Sequence, residues 1–165
     1  MVDCGKGVIH MLDTLIRGAQ VVDGTGRAAF PADVGILDGM IEEVGDLQGA
    51  QAFETIEANG RVLTPGFIDI YRHADAAVFR EDFGRSELSQ GLTTLVNGNC
   101  GMSLAPLFGA HADECARYLA PITGSVEPAL RFDSLASYFK AAQGHGLPLS
   151  CAELIGMGTL RTLAA

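Results

Sequence analysis

The alternation of apolar and polar positions changes its grammar once along the chain, at Thr64-Pro65-Gly66. Before that point apolar residues come in short runs broken by glycine turns. Thr14-Leu15-Ile16-Arg17 and Ala19-Gln20-Val21-Val22 read as strands, and Asp23-Gly24-Thr25-Gly26 interrupts them. Residues 33–37 and 40–44 flank Asp38-Gly39, the strongest short-range hairpin signal in the chain. Residues 53–57 and 61–63 flank Ala58-Asn59-Gly60, another turn. Five or six short strands between glycine turns predict a small β-sandwich over residues 11–64; a β-meander docked on the rest is the alternative.

After Pro65 the order becomes strand, helix, strand. Phe67, Ile68 and Ile70 nearly abut rather than alternate, which predicts a buried parallel strand over 67–71. A helix is expected around 85–90, stopped by Gly91. Thr93-Thr94-Leu95-Val96 is a second strand, ending at Asn97-Gly98-Asn99-Cys100-Gly101. A helix over 111–119 should halt before Pro121. Asp133 or Ser134 caps a further helix over 135–143, with Leu135, Tyr138, Phe139 and Ala142 at i, i+3, i+4 and i+7 and Gly144 at its end. Residues 151–156 form a third strand, and a helix would be starting at Thr162-Leu163-Ala164-Ala165. Residues 65–165 therefore predict three β/α units. They fit the front of a (β/α)₈ barrel, which needs eight units and about 250 residues, or a three-stranded α/β fold.

Composition narrows the function classes. A hydrophobic share of 48% and a mean hydropathy of +0.24 are enough for a core over 165 residues. No apolar run reaches about 18 residues, so no membrane span is expected. The net charge of −9 argues against nucleic acid or an anionic membrane as a partner. Cys4, Cys100, Cys115 and Cys151 form no C-x-x-C pair and suggest no disulfide framework, so a reducing cytoplasm is the simplest setting. Residues 1–10 lack a signal-peptide apolar region and read as a leader or tag-like segment, with Met11-Leu12-Asp13 a more natural start.

Two stretches carry candidate chemistry. Side chains alternate along a strand, so Tyr71 and His73 point to one side at the tip of the first post-proline strand, with Asp75 just beyond. Ligands and metals sit at that carboxyl end in parallel α/β folds. Spacing alone leaves His73 as a metal ligand or as a hydrogen-bonded strand-end histidine. Tyr71 is a poorer ligand than a second histidine, because its phenol titrates near 10. Cys100 ends the next strand in a glycine-lined turn, where a thiolate can face the same pocket; a buried core thiol is the alternative. Asp75 reads either as a carboxylate orienting His73 or as a solvated loop residue. Asp69 could do the same from within the strand or be structural. His111 and His145 read as surface residues, Glu42-Glu43 as an exposed pair, and Cys115 and Cys151 as core.

Pro65-Gly66-Phe67-Ile68-Asp69 followed by x-Tyr71-x-His73 resembles the first-strand signature of the amidohydrolase superfamily, in which both x-H-x-H histidines bind metal. The run from Gly91 to Ser103, with Asn97-Gly98-Asn99-Cys100-Gly101, is similar to the second-strand segment of the N-acyl-D-amino-acid deacylases (D-aminoacylases), where the cysteine is a metal ligand. Asp13-Thr14-Leu15-Ile16-Arg17-Gly18, Val22-Asp23-Gly24-Thr25-Gly26 and Gly156-Met157-Gly158-Thr159-Leu160-Arg161 look like the same branch, although many members have histidine where Met157 stands.

The resemblance implies a TIM-barrel metal-dependent hydrolase with a β-sandwich domain built from both chain ends. It implies one or two Zn²⁺ ions, which lower the pKa of bound water and polarise an amide carbonyl. It also implies hydrolysis of a small-molecule N-acyl-D-amino acid to a carboxylate and a D-amino acid. His73 and Cys100 match ligand positions. Tyr71 stands in place of the first histidine, and the general-base aspartate and further histidines are expected beyond residue 165. Two ligands cannot close a catalytic zinc site, which takes three plus water. The isolated chain is therefore expected to be an inactive or incomplete part of such an enzyme, with weak or no zinc and a tendency to self-associate. The alternative is a non-catalytic truncated homologue that acts as a scaffold or pairs with a partner supplying the missing barrel strands.

Overall fold

The computed structural model describes residues 11–125, 127 and 131–165. The leader-like segment 1–10, with Cys4, lies outside the described residues. Two compact units divide at Pro65/Gly66.

The first unit is a mixed sheet of β1 (Leu12–Val21), β2 (Phe30–Leu37), β3 (Met40–Gly45), β4 (Ala52–Glu57) and β5 (Val62–Leu63). The order is β3-β2-β1-β4, with β5 also on β1. The two strands expected within 14–22 are one strand. A register irregularity between Ile16 and Ala19 divides it, at Gly18, whose φ is +65° and whose N–H donates to Asp33 Oδ1 at 2.8 Å. Asp38 and Gly39 both take positive φ, +51° and +73°, as the tight β2–β3 hairpin requires. β1 pairs antiparallel with β2 but parallel with β4 and β5, which a simple meander would not do. Among the described residues these strands make one sheet rather than two. Leu15, Ala19, Val21 and Val34 are buried, while Met40, Ile41 and Phe53 stay exposed.

In the second unit β6 (Phe67–Asp69), β7 (Leu92–Asn97) and β8 (Ser150–Glu153) run parallel in that order. Between and after them come α1 (Arg85–Ser89), α2 (Ala112–Thr123), α3 (Leu135–His145) and α4 (Met157–Ala164). Three helix expectations need correction. Pro121 does not stop α2: it forfeits one backbone bond near the helix end, and Gly124 N–H closes the helix on Ala120 O. α3 runs on to His145 and ends at Gly146, with Ser134 and Ser137 forming a reciprocal capping box at its start. α4 begins at Met157, five residues before the expected start.

The core of this unit gathers Val78, Leu104, Leu107, Cys115, Leu119, Tyr138 and Leu163. Phe79 and Phe132 stack, and Tyr138 meets both edge-on. The buried-strand expectation for Phe67, Ile68 and Ile70 is overturned: they are 59%, 61% and 72% exposed. Their abutting apolar run is that of a two-sided buried strand, and no described residue covers them. Among the described residues no helix is long and apolar enough to cross a membrane.

Candidate metal centre

The segment after β6 is not a strand, yet it is pinned along its length. Tyr71 N–H donates to Asp69 Oδ1 at 3.1 Å and Arg72 N–H to Val96 O at 3.1 Å. Ala74 N–H donates to Asn97 Oδ1 at 3.0 Å, and Asn99 Nδ2 to the carbonyls of Val96 and Arg72. The Arg72 guanidinium reaches Glu87 Oε1 at 2.5 Å and Asp69 Oδ2 at 3.6 Å. Burial pushes the Glu87 carboxyl up, but hydrogen bonds from its backbone and Ser86, together with Arg72, hold it below the usual range. Asp69 thus serves to position Tyr71 and Arg72.

Cys100 sits in a tight turn (Asn99–Gly101) with φ of +56°, rare for a residue with a side chain. That turn presses against the segment joining β8 to α4. A Cβ on Gly98 would lie 2.0 Å from Leu154 O, and one on Gly156 would lie 2.5 Å from Gly101 O. Two buried hydroxyls clamp the contact. Thr159 Oγ1 accepts from Ser103 N–H and donates to Ser103 O, both at 3.0 Å, and Ser103 Oγ accepts from Gly156 N–H at 2.9 Å.

These two rigid pieces meet at Tyr71. Its hydroxyl lies 2.5 Å from Cys100 Sγ, and its ring stands edge-on to His73, with centroids 5.9 Å apart and planes at 83°. Tyr71 thus meets both of the other sequence-expected residues, Cys100 through its hydroxyl and His73 through its ring. Hydrogen bonding to Cys100 holds the Tyr71 phenol above its ordinary pKa. His73 Nδ1 is enclosed, with no hydrogen-bond partner among the described residues.

The donor set does not fit a closed zinc site. With the Tyr71 hydroxyl against the Cys100 sulfur, the chain offers one imidazole and one thiol toward the three protein ligands such a site takes. Among the described residues no three His, Cys, Asp or Glu side chains are grouped to hold a metal.

Asp75 is fully buried, which overturns the solvated-loop reading. Nor does it bond His73 Nδ1: its Oδ1 accepts from Leu104 N–H at 3.0 Å, and Tyr138 Oη donates to its carbonyl at 2.9 Å. Beside it lie Asn97 and Glu153, which sequence reasoning did not single out; the only signal was a polar residue closing each of two apolar strands. Burial first, then neighbouring Asp75, pushes the Glu153 carboxyl up to about 9, partly opposed by Asn97. Among the described residues, Asp75 Oδ2, Asn97 Nδ2 and both Glu153 carboxyl oxygens have no partner at full hydrogen-bond geometry.

The remaining candidates are structural. His111 lies 3.6 Å from Glu114 on the surface, and His145 packs edge-on against Phe79. Asp23 closes its own turn by accepting from Thr25. Cys115 is buried, and burial raises its thiol pKa. Cys151 is only half-buried, with its thiol pushed up to about 11 by burial and by Glu153 and Glu87.

No protein-family model matches the chain. Among curated proteins it is 37% identical over 150 residues to a D-aminoacylase from Alcaligenes xylosoxydans xylosoxydans, covering 90% of this chain and 30% of that one. It is 36% identical over 160 residues to an N-acyl-D-glutamate deacylase of the same organism, covering 93% and 30%. Among solved structures it matches an N-acyl-D-glutamate deacylase from Bordetella bronchiseptica, complexed with zinc and a phosphonate mimic of the tetrahedral intermediate. There the TM-score is 0.82 at 35% identity, over 94% of this chain and 31% of the other. A D-aminoacylase crystal structure matches with a TM-score of 0.80 at 35% identity, over 92% and 31%. The chain thus spans about 30% of the length of the relatives it matches.

Proposed function

The chain belongs with the N-acyl-D-amino-acid deacylases, a branch of the amidohydrolase superfamily, and from that premise we propose that it forms one part of a metal-dependent linear-amide hydrolase. Its first unit would be a portion of the β-sandwich domain, and its second the opening β/α units of the barrel. The reaction of the whole would be hydrolysis of an N-acyl-D-amino acid to a carboxylate and a D-amino acid. By itself the chain is catalytically silent in this reading.

The observation that carries it is the meeting of residues 71, 73 and 100 at the carboxyl ends of adjacent parallel strands, where such folds place their chemistry. His73 and Cys100 are the ligands this chain would contribute. The general base and remaining ligands would come from elsewhere. Free Cys100, Cys115 and Cys151 accord with a reducing, cytoplasmic setting. The experiment is an amine-release assay on N-acetyl-D-glutamate and N-acetyl-D-methionine with added zinc. No turnover is expected from the chain alone. Turnover abolished by Cys100→Ser would overturn the incomplete-site reading.

A second reading has its own support. Exposed Phe67 and Ile68 on the parallel sheet, with Ile70 just beyond it, and Met40, Ile41 and Phe53 on the other sheet, are apolar surfaces suited to a covering partner. A non-catalytic scaffold that pairs with the chain supplying the missing strands would use them.

A further inference from the structure

We propose that Asn97 and Asn99, the two asparagines of the turn that carries Cys100, are positioning residues for His73: their carboxamides hold the peptide group on each side of it, so that the backbone presenting one candidate ligand is built onto the turn presenting the other. The inference deepens the reading of His73 and Cys100 as ligands of an amidohydrolase face and rests on that reading for its function.

The geometry is specific to position 73. The peptide before His73 presents the Arg72 carbonyl, which accepts from Asn99 Nδ2 at 3.3 Å. The peptide after it presents the Ala74 N–H, which donates to Asn97 Oδ1 at 3.0 Å. A residue has two soft backbone torsions, one on each side of its Cα. Holding both neighbouring peptide planes therefore fixes the direction of the Cα–Cβ bond and leaves the imidazole only its side-chain torsions. The strand ladder does not reach this far. β6 ends at Asp69, and beyond it Arg72 N–H donates to Val96 O at 3.1 Å. At the next step the Asn97 side chain takes over as acceptor. Asn99 Nδ2 braces the junction by donating to Val96 O as well, at 2.8 Å.

The residue types follow from the same contacts. Position 99 must donate to two carbonyls and position 97 must accept from an N–H, and a carboxamide serves at both. Position 97 must also be uncharged. Asn97 is fully buried and stands in register with Glu153, which lies beside Asp75. An aspartate at 97 would add a third carboxyl to that interior. The turn is fixed from its other side too. Gly98 has a φ of +75° with Leu154 O where a Cβ would stand, and Leu154 N–H donates to Asn97 O at 3.0 Å. His73 is thus braced against the end of β8 through the turn, as well as against β7.

The test is amide exchange on the full chain, read residue by residue by NMR, together with the His73 ring C–H signal, identified by its loss in His73→Gln. Asn99 is half-buried and has an ordinary helical backbone, so neither Asn99→Asp nor Asn99→Ala asks for a new conformation. Aspartate is nearly isosteric but has no donor and sets a carboxylate against two carbonyl oxygens; alanine removes the group. Each should speed exchange over residues 72–74 about tenfold relative to α3, in line with the loss of a hydrogen bond, and should move the His73 ring signal. The aspartate effect should be at least as large as the alanine effect, an order that a space-filling role would reverse. Circular dichroism checks that each variant folds as the wild type does. Unchanged exchange at 72–74 in both variants, acceleration that only keeps pace with α3, a reversed order, or a His73 signal left in place overturns the asparagine role, whatever the amine-release assay shows. Cys100-dependent turnover by the chain alone would instead overturn the incomplete-site reading and leave the exchange result standing.

Discussion

Glu153, at the end of β8, faces Asp75, in the segment beyond β6, two carboxyl groups side by side in the protein interior with Asn97, at the end of β7, beside them. Burial first, and then the neighbouring Asp75, make Glu153 hold its proton well above the ordinary range, up to about 9. A carboxyl raised in the folded state favours folding below its unfolded pKa, near 4.5. That contribution is lost as pH rises through the folded value. Stability should therefore fall between about pH 5 and 9. Glu153→Gln keeps the shape, donates to Asp75 and accepts from Asn97 without titrating. We expect the variant to be more stable by about 1–3 kcal/mol at pH 8.5, within the range for an unsatisfied buried polar group, and nearly unchanged at pH 5. Urea unfolding at both pH values measures the difference; equal shifts at both would sink the account.

Gly98 decides where Cys100 lies. Its φ of +75° is left-handed, and an added methyl would meet Leu154 O at 2.0 Å. Gly98→Ala should cost about 1–2 kcal/mol from the backbone conformation alone, with the steric conflict on top. The turn must shift, so Cys100 should move away from Tyr71. Thermal unfolding reads the first effect and Cys100 modification the second. A variant as stable as wild type with an unchanged thiol would show that the turn is looser than its packing implies.

Tyr138 ties a helix to the candidate centre. Its ring fills the core, while its hydroxyl donates to Asp75 O at 2.9 Å. Tyr138→Phe retains the ring and leaves that buried carbonyl without its donor, which should cost about 1–3 kcal/mol. Amide exchange over residues 74–76 should accelerate while β1, in the other unit, keeps its rate. Uniform acceleration would mean that the bond supports global stability only.

How much of this was legible depended on whether the signal was local. Asp38-Gly39 dictates its hairpin through two positive-φ positions, and Ser134 announces its helix by capping chemistry, so both could be read from a few residues. The parallel pairing of β1 with β4 and β5 joins residues some forty apart and leaves no local trace. At the site, Tyr71, His73 and Cys100 stood out because their residue types and neighbouring glycines are unusual at strand ends. Asp75 stood out only by following His73, and Asn97 and Glu153 did not stand out, since each is an ordinary polar residue until the fold brings it beside Asp75. The misjudged burial of Phe67, Ile68 and Ile70 has a different origin. An apolar run tells what a strand is suited to pack against, and the described chain supplies no such surface.

The same uncovered surfaces set the last expectation, self-association that salt strengthens. β3 and β4 are the outer strands of the first sheet and carry Met40, Ile41 and Val44 on one and Phe53 and Ile56 on the other, all exposed. Exposed apolar edges invite pairing with another copy. Opposing it, Glu42, Glu43, Glu54 and Glu57 line those edges, and the chain carries a net charge of −9. Repulsion between exposed charges fades as added salt shortens the screening length from about 10 Å at 0.1 M to about 3 Å at 1 M, while apolar contact is not weakened. Sedimentation over a concentration series should thus show reversible association that grows with salt, and Phe53→Lys or Ile41→Lys should reduce it without lowering thermal stability, because both side chains already face water. Association that salt dissolves would point to charge pairing instead. A monomer at every concentration and ionic strength would remove the ground for treating these faces as surfaces awaiting the rest of a barrel and sandwich.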